Sequence, residues 1–167
     1  MAPLHLFAYS TLLGAELYQS FVMTKLAYKA LPNSSFTTLQ KRVFPVYFQG
    51  QTLLLGLIAF TLPPQGPKSV ISSKSNWIPL TVAGGTAALN LFVYGPRSQR
   101  LMIERVHQVT RDSKHSTDPG ELSVEMQNLN RSFSRAHAMS IHLNLMTIIA
   151  TLCYGWQVSK LNFGVVR

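Results

Sequence analysis

Charge is the scarcest property of this sequence. Asp, Glu, Lys and Arg make up 13% of its 167 residues, and six of these are acidic against fifteen basic. A nucleic-acid-binding surface needs its cations in a stripe on a well-charged face. Here they fall in clusters between long uncharged runs, which excludes nucleic acid as the expected partner. Cysteine occurs once, at Cys153, so there is neither an internal disulfide nor a CxxC pair; inside an apolar run it reads as a small buried hydrophobe. No glycine-rich phosphate loop or nucleophile elbow is present. His107, His115, His137 and His142 form no H-x-x-x-H pair with a nearby acid. His137 and His142 are five apart and point to different sides of a helix. No metal, cofactor or enzymatic chemistry is expected.

What the chain does have is four apolar runs. A helix rises about 1.5 Å per residue, so roughly 20 apolar residues cross a hydrocarbon core about 30 Å thick. Leu4 to Met23 is one such run, carrying Glu16 as its single charge; Val43 to Leu62 and Trp77 to Pro96 carry none; Ala136 to Val158 is the fourth. Soluble helices keep a polar face with charges every turn, and these do not. The expectation is an all-α integral membrane four-helix bundle, one domain over 1–167, with spans at about 4–24, 43–62, 77–96 and 136–158. The leading MAPLHL lacks Lys and Arg, and no A-x-A site follows the first run, so that run is expected to stay as a helix rather than leave as a signal peptide. No Arg-rich transit peptide is visible.

The connectors carry the polarity. Leu31-Pro32 stops the first helix, because the residue before proline is driven out of the helical region. Asn33, Ser34 and Ser35 offer capping oxygens, with Thr37 and Gln40 as a capping box. Phe44, Tyr47 and Phe48 supply an aromatic belt, and Pro45 falls in the early turns of the second helix. Loop two, residues 63–76, is rich in Pro, Gly and Ser and reads as irregular. Loop three, residues 97–135, reads as a helical hairpin outside the bilayer. Met102, Val106 and Val109 form one stripe; Leu122, Met126, Leu129 and Phe133 form the other; Asp118-Pro119-Gly120-Glu121 starts the second helix.

Cations fix the expected orientation. Loops one and three share a side and hold Lys25, Lys29, Lys41, Arg42, Arg97, Arg100, Arg105, Arg111, Lys114, Arg131 and Arg135; the other side holds Lys68, Lys74, Lys160 and Arg167. The positive-inside rule makes loops one and three cytosolic and both termini non-cytosolic. Lys25, Lys29, Lys41, Arg42, Arg97, Arg100 and Arg135 are the expected headgroup contacts, anionic headgroups included. An endomembrane or plasma membrane is favoured over a mitochondrial one. Besides lipid, a second copy or another membrane protein is a candidate partner.

Each span also carries a polar stripe. Glu16 has Gln19 and Ser20 one turn on; the second helix has Gln49 and Thr52; the third has Thr86, Asn90 and Tyr94; the fourth has His137, Ser140, Asn144, Thr147 and Thr151. An ionised acid at a helix centre costs a few kcal/mol on insertion scales, so Glu16 must be protonated, paired or facing water. If the stripes face one another they form interhelical hydrogen-bond glue, helped by Gly84-x3-Ala88. Alternatively they form a seam for a proton, ion or small solute, with Glu16, Gln19, Gln49, Asn90, His137, Ser140 and Asn144 along it.

At these residues the sequence resembles the transmembrane protein 205-like family of eukaryotes. LPNSSFTTLQKRVFPVYF is similar to that family's LP-x3-F-x3-Q-x2-FP-x-YF block, through Leu31, Pro32, Phe36, Gln40, Phe44, Pro45, Tyr47 and Phe48. Asn90, Pro96, and Phe133 with His137, Ser140 and Asn144 extend the resemblance, as does GAELYQSF in the first run. The resemblance implies a small multi-pass helical membrane protein with no settled reaction. The reading of the whole is a structural, trafficking or membrane-organising protein; the alternative is a transporter or channel-like component.

Overall fold

The computed structural model describes residues 2–63, 66–68, 74–115 and 123–163. Among them every regular element is helical. Helix α1 (Ala2–Leu17) runs through a π-helical stretch, Tyr18–Met23, into α2 (Thr24–Ala30). The junction residues Leu17, Met23 and Thr24 all keep right-handed helical backbone, so the three pieces form one rod. It stops where expected: Leu31 is extended, with φ −111° and ψ 143°.

Helix α3 (Asn33–Thr61) follows after Pro32. It begins a full ten residues before the expected span, which corrects two details. Pro45 stands in the helix interior rather than its first turns, and Thr37 and Gln40 are helical rather than a cap. Pro32 itself is the N-cap residue, with no side-chain capping bond. Helix α4 (Lys74–Leu89) passes through a second π-helical stretch, Asn90–Tyr94, into α5 (Gly95–His115). The expected third span ends at Pro96, but the helix does not. Proline lacks the N–H for one rung and its ring crowds the carbonyl four residues back; the wider π turn just before Pro96 accommodates both. Finally, α6 (Val124–Phe163) is a single helix of 40 residues. The expected cap at Asp118 to Glu121 lies outside the described residues.

The four rods pack in chain order around a square: α1 on α3, α3 on α4, α4 on α6, and α6 back on α1. Ala8 and Leu12, Leu55, Ile58 and Leu62, Leu80, Ala83 and Ala87, and Ala150 and Tyr154 form its core. The small residues of α4 in this core are Ala83 and Ala87, both wholly buried, whereas Gly84 and Ala88 are half-buried. Small residues let backbones approach, which is how helices associate where lipid offers no hydrophobic drive.

The outside of the bundle is as apolar as its inside. Phe7, Leu53, Phe60 and Phe92 are between 68% and 73% exposed. Exposed apolar surface on this scale marks contact with something other than water. Three helices, Asn33–Thr61, Trp77–Ser113 and Val124–Lys160, are long and apolar enough to cross a bilayer. The protein is a membrane-embedded helical bundle.

Beyond the core, α5 lies along the first turns of α6. The contact is more polar than the stripes suggest. Val106 and Val109 are exposed, whereas Gln108 is buried and donates to Asp112 Oδ1 at 2.8 Å. Ser123 donates to Asp112 Oδ2 at 2.8 Å, and Arg105 lies 4.8 Å over the Phe133 ring. Leu122 lies outside the described residues; among the rest of its stripe Met126 is buried and Leu129 and Phe133 are half-buried. Cys153, expected inside, is exposed on the outer face of α6.

Candidate functional site, a buried polar centre

Glu16 is wholly buried. Its Oε1 accepts hydrogen bonds from Gln51 Nε2 at 2.9 Å and Thr151 Oγ1 at 3.4 Å. Its Oε2 has no partner, and neither does Gln51 Oε1. Tyr47 and Asn144 extend the cluster: the phenol donates to Asn144 Oδ1 at 2.8 Å, and Asn144 Nδ2 donates to Ser20 Oγ at 2.8 Å. Gln51 Nε2 also reaches the Tyr47 phenol at 3.4 Å. Six side chains on three helices thus meet across the middle of the square. Tyr47 and Gln51 on α3 and Asn144 on α6 bridge helices that are not packed neighbours.

Sequence reasoning placed some members and missed others. Of the stripe residues, Glu16, Ser20, Asn144 and Thr151 come together. Gln49 does not: it is exposed, and Thr52 donates to Phe48 O of its own helix at 2.9 Å. The inward face of α3 is instead Phe48, Gln51, Leu55 and Ile58. Tyr47, assigned to the aromatic belt, lies in the polar centre. His137 is half-buried and stacked on Phe133, with ring centroids 5.3 Å apart, outside the Glu16 cluster. Gln19 is buried but turns to Thr24, whose Oγ1 donates to Gln19 O at 2.8 Å and so occupies a carbonyl of the π stretch. Gln40 is buried with both amide atoms unpartnered.

The third rod joins separately. Asn90, wholly buried at the start of its π stretch, donates to Ser140 O at 3.0 Å. The hydroxyls of Thr86 and Thr147 are 2.7 Å apart. Both π stretches abut these polar groups, and π turns inside helices are frequent at functional sites. Gly95 closes the second one: a Cβ there would sit 2.5 Å from Asn90 O and 3.4 Å from the Phe48 ring.

A second buried group was not anticipated. His5 Nδ1 lies 3.2 Å from Thr61 Oγ1, and the Tyr154 phenol lies 2.9 Å from His5 Nε2. Thr61 gives its own proton to Leu57 O at 2.7 Å, so it accepts from Nδ1–H. Nε2 then faces the Tyr154 phenol, and this pair links α1 to α6 beside the bond to α3. The signal available in sequence was weak: a lone His near the chain start, three residues short of any polar neighbour.

The cations Lys25, Lys29, Arg42, Arg97, Arg100 and Arg135 are exposed and Lys41 half-exposed. Chain direction puts them at one end of the bundle, where Gln99 Nε2 donates to Lys41 O at 3.0 Å.

An all-helical membrane bundle with a buried polar centre is the class this geometry defines. The chain belongs to the family described as a domain of unknown function, DUF4149, which matches residues 7–107 and so includes Glu16, Tyr47, Gln51 and Asn90. A protein of Aspergillus fumigatus, "Xanthocillin biosynthesis cluster protein D", is 42% identical over 160 residues, covering 96% of this chain and 90% of that protein. No solved structure matches the chain. These findings overturn the resemblance to the transmembrane protein 205-like family, of which they carry no sign. The blocks behind it are short and built from Leu, Pro, Phe and Tyr, residue types common wherever a chain re-enters a membrane.

Proposed function

We propose that this is a non-enzymatic membrane protein whose polar centre binds a small solute and moves it across or within the bilayer. The observation that carries the reading is Glu16, a carboxyl wholly enclosed by three helices with one oxygen unpartnered. Plain interhelical glue is served by hydroxyls and amides, as at Thr86–Thr147 and Asn90–Ser140. It gains nothing from an acid with an open acceptor, since an unpaired buried charge is costly. The similarity to a protein named for a biosynthesis cluster supports a role beside small-molecule metabolism. The positive-inside reading places the basic end in the cytosol and both termini on the other side, in an endomembrane or plasma membrane, with a fourth span formed by Ala2–Ala30.

Flux into liposomes tests it. Full-length protein should carry a proton, an ion or a small organic solute; Glu16→Gln should slow that flux about tenfold or more, the loss of one charge-assisted contact. His137→Ala, outside the cluster, should stay within about twofold. Absence of flux, or equal flux with Glu16→Gln, removes the reading.

A membrane-organising or trafficking role is favoured by a different observation, the polar α5–α6 pairing with Asp112 at its centre. On that reading, deleting residues 105–130 changes the protein's steady-state location in cells while leaving liposome flux intact; an unchanged location removes it.

A further inference from the structure

A cavity of about 180 Å³ lies between α1 and α3, beside the polar centre. Leu12, Ala15, Val46 and Leu54 give it apolar walls, and Glu16, Tyr47 and Gln51 stand in its lining. Ala15 and Val46 are exposed on the apolar outer surface, so the cavity opens sideways toward lipid rather than along the bundle axis. A Cβ on Gly50, which also lines it, would meet nothing within 4 Å.

Resting on the reading of Glu16 as a ligand-bearing group, we infer that this cavity is a laterally entered site for a small lipophilic amine bound as its ammonium. Three facts converge on that class. The volume is slightly above the roughly 150 Å³ of an apolar cavity that holds a benzene ring, the size of a single-ring molecule. Two of the lining residues carry unpartnered acceptors just behind the cavity wall, the covered Glu16 Oε2 and Gln51 Oε1. A hydroxyl brings one proton to two acceptors, whereas an ammonium brings three donors and meets both. No cation among the described residues pairs with Glu16, so a cationic ligand also supplies the missing countercharge. Glu16 is fully covered, and the ammonium reaches it by displacing a neighbouring side chain.

The test is saturable binding of phenethylamine to the full chain in nanodiscs, against 2-phenylethanol as its neutral match and empty nanodiscs as the partition control. The amine should bind at one site per chain, about tenfold or more tighter than the alcohol. Glu16→Gln should bring the amine down to the alcohol's level. Gly50→Val, which fills the cavity without touching the carboxyl, should remove binding of both and keeps the test decisive if Glu16→Gln folds poorly. Alcohol binding equal to the amine's, or amine binding indifferent to Gly50→Val, overturns the inference. Flux that Glu16→Gln abolishes but phenethylamine neither joins nor inhibits also overturns it, and leaves the carrier reading standing. Amine binding in a protein that moves no solute upholds the site and removes the carrier reading instead.

Discussion

Replacing Gln51 with Leu is expected to destabilise the bundle by about 2–3 kcal/mol, and adding Glu16→Leu in the same chain should return most of that loss. The asymmetry follows from what each change leaves behind. Gln51→Leu removes the closest donor to Glu16 Oε1, at 2.9 Å, and strands a buried acid with only the longer Thr151 contact. An acceptor stranded in a low-dielectric interior costs its full desolvation penalty, about 1–3 kcal/mol and more when charged. Removing both partners leaves apolar groups of similar shape, which is often near neutral. The measurement is a double-mutant cycle on detergent unfolding of the purified protein. Additive losses, with the double variant worse than either single one, would show that Glu16 and Gln51 do not act as a pair.

Gly155→Ala should cost a comparable amount, about 1–3 kcal/mol, by overpacking. A Cβ at Gly155 would run into the Tyr9 phenol of the neighbouring helix. Tyr9 leans on Tyr154, ring centroids 6.0 Å apart, and Tyr154 is wholly buried against His5. The ring therefore has little room to retreat. Tyr9→Leu shortens the intruding side chain, so the pair Gly155→Ala with Tyr9→Leu should be more stable than Gly155→Ala alone. Thermal unfolding followed by intrinsic fluorescence decides it; a single variant as stable as wild type would mean that α1 and α6 shift apart freely at this level.

How much of this could be read from sequence depends on the solvent. The break at Leu31-Pro32 was legible because proline restricts its neighbour whatever surrounds it. The α6 stripe was legible because Ser140, Asn144, Thr147 and Thr151 repeat at three and four over several turns. On α3 the same reasoning chose Gln49 and Thr52 where the chain uses Phe48 and Gln51. In water the apolar face of a helix reveals which way it points; in lipid the outward face, Val46, Leu53 and Phe60, is as apolar as the inward one. Two glutamines two residues apart then give no phase. The π stretches were invisible for a related reason, since no residue in Tyr18–Met23 breaks a helix, and only Pro96 hints at the second. Helix ends outside the core were misjudged because an apolar run measures the membrane's thickness, not the helix's length.

That difference in length has a mechanical meaning. The 40 residues of α6 amount to about 60 Å of helix, roughly twice the hydrocarbon core. No glycine or proline interrupts it between Val124 and Tyr154. A torque applied near Met126, by headgroups or by another protein, is therefore delivered to Asn144 and Thr151 through a stiff shaft with no joint to absorb it.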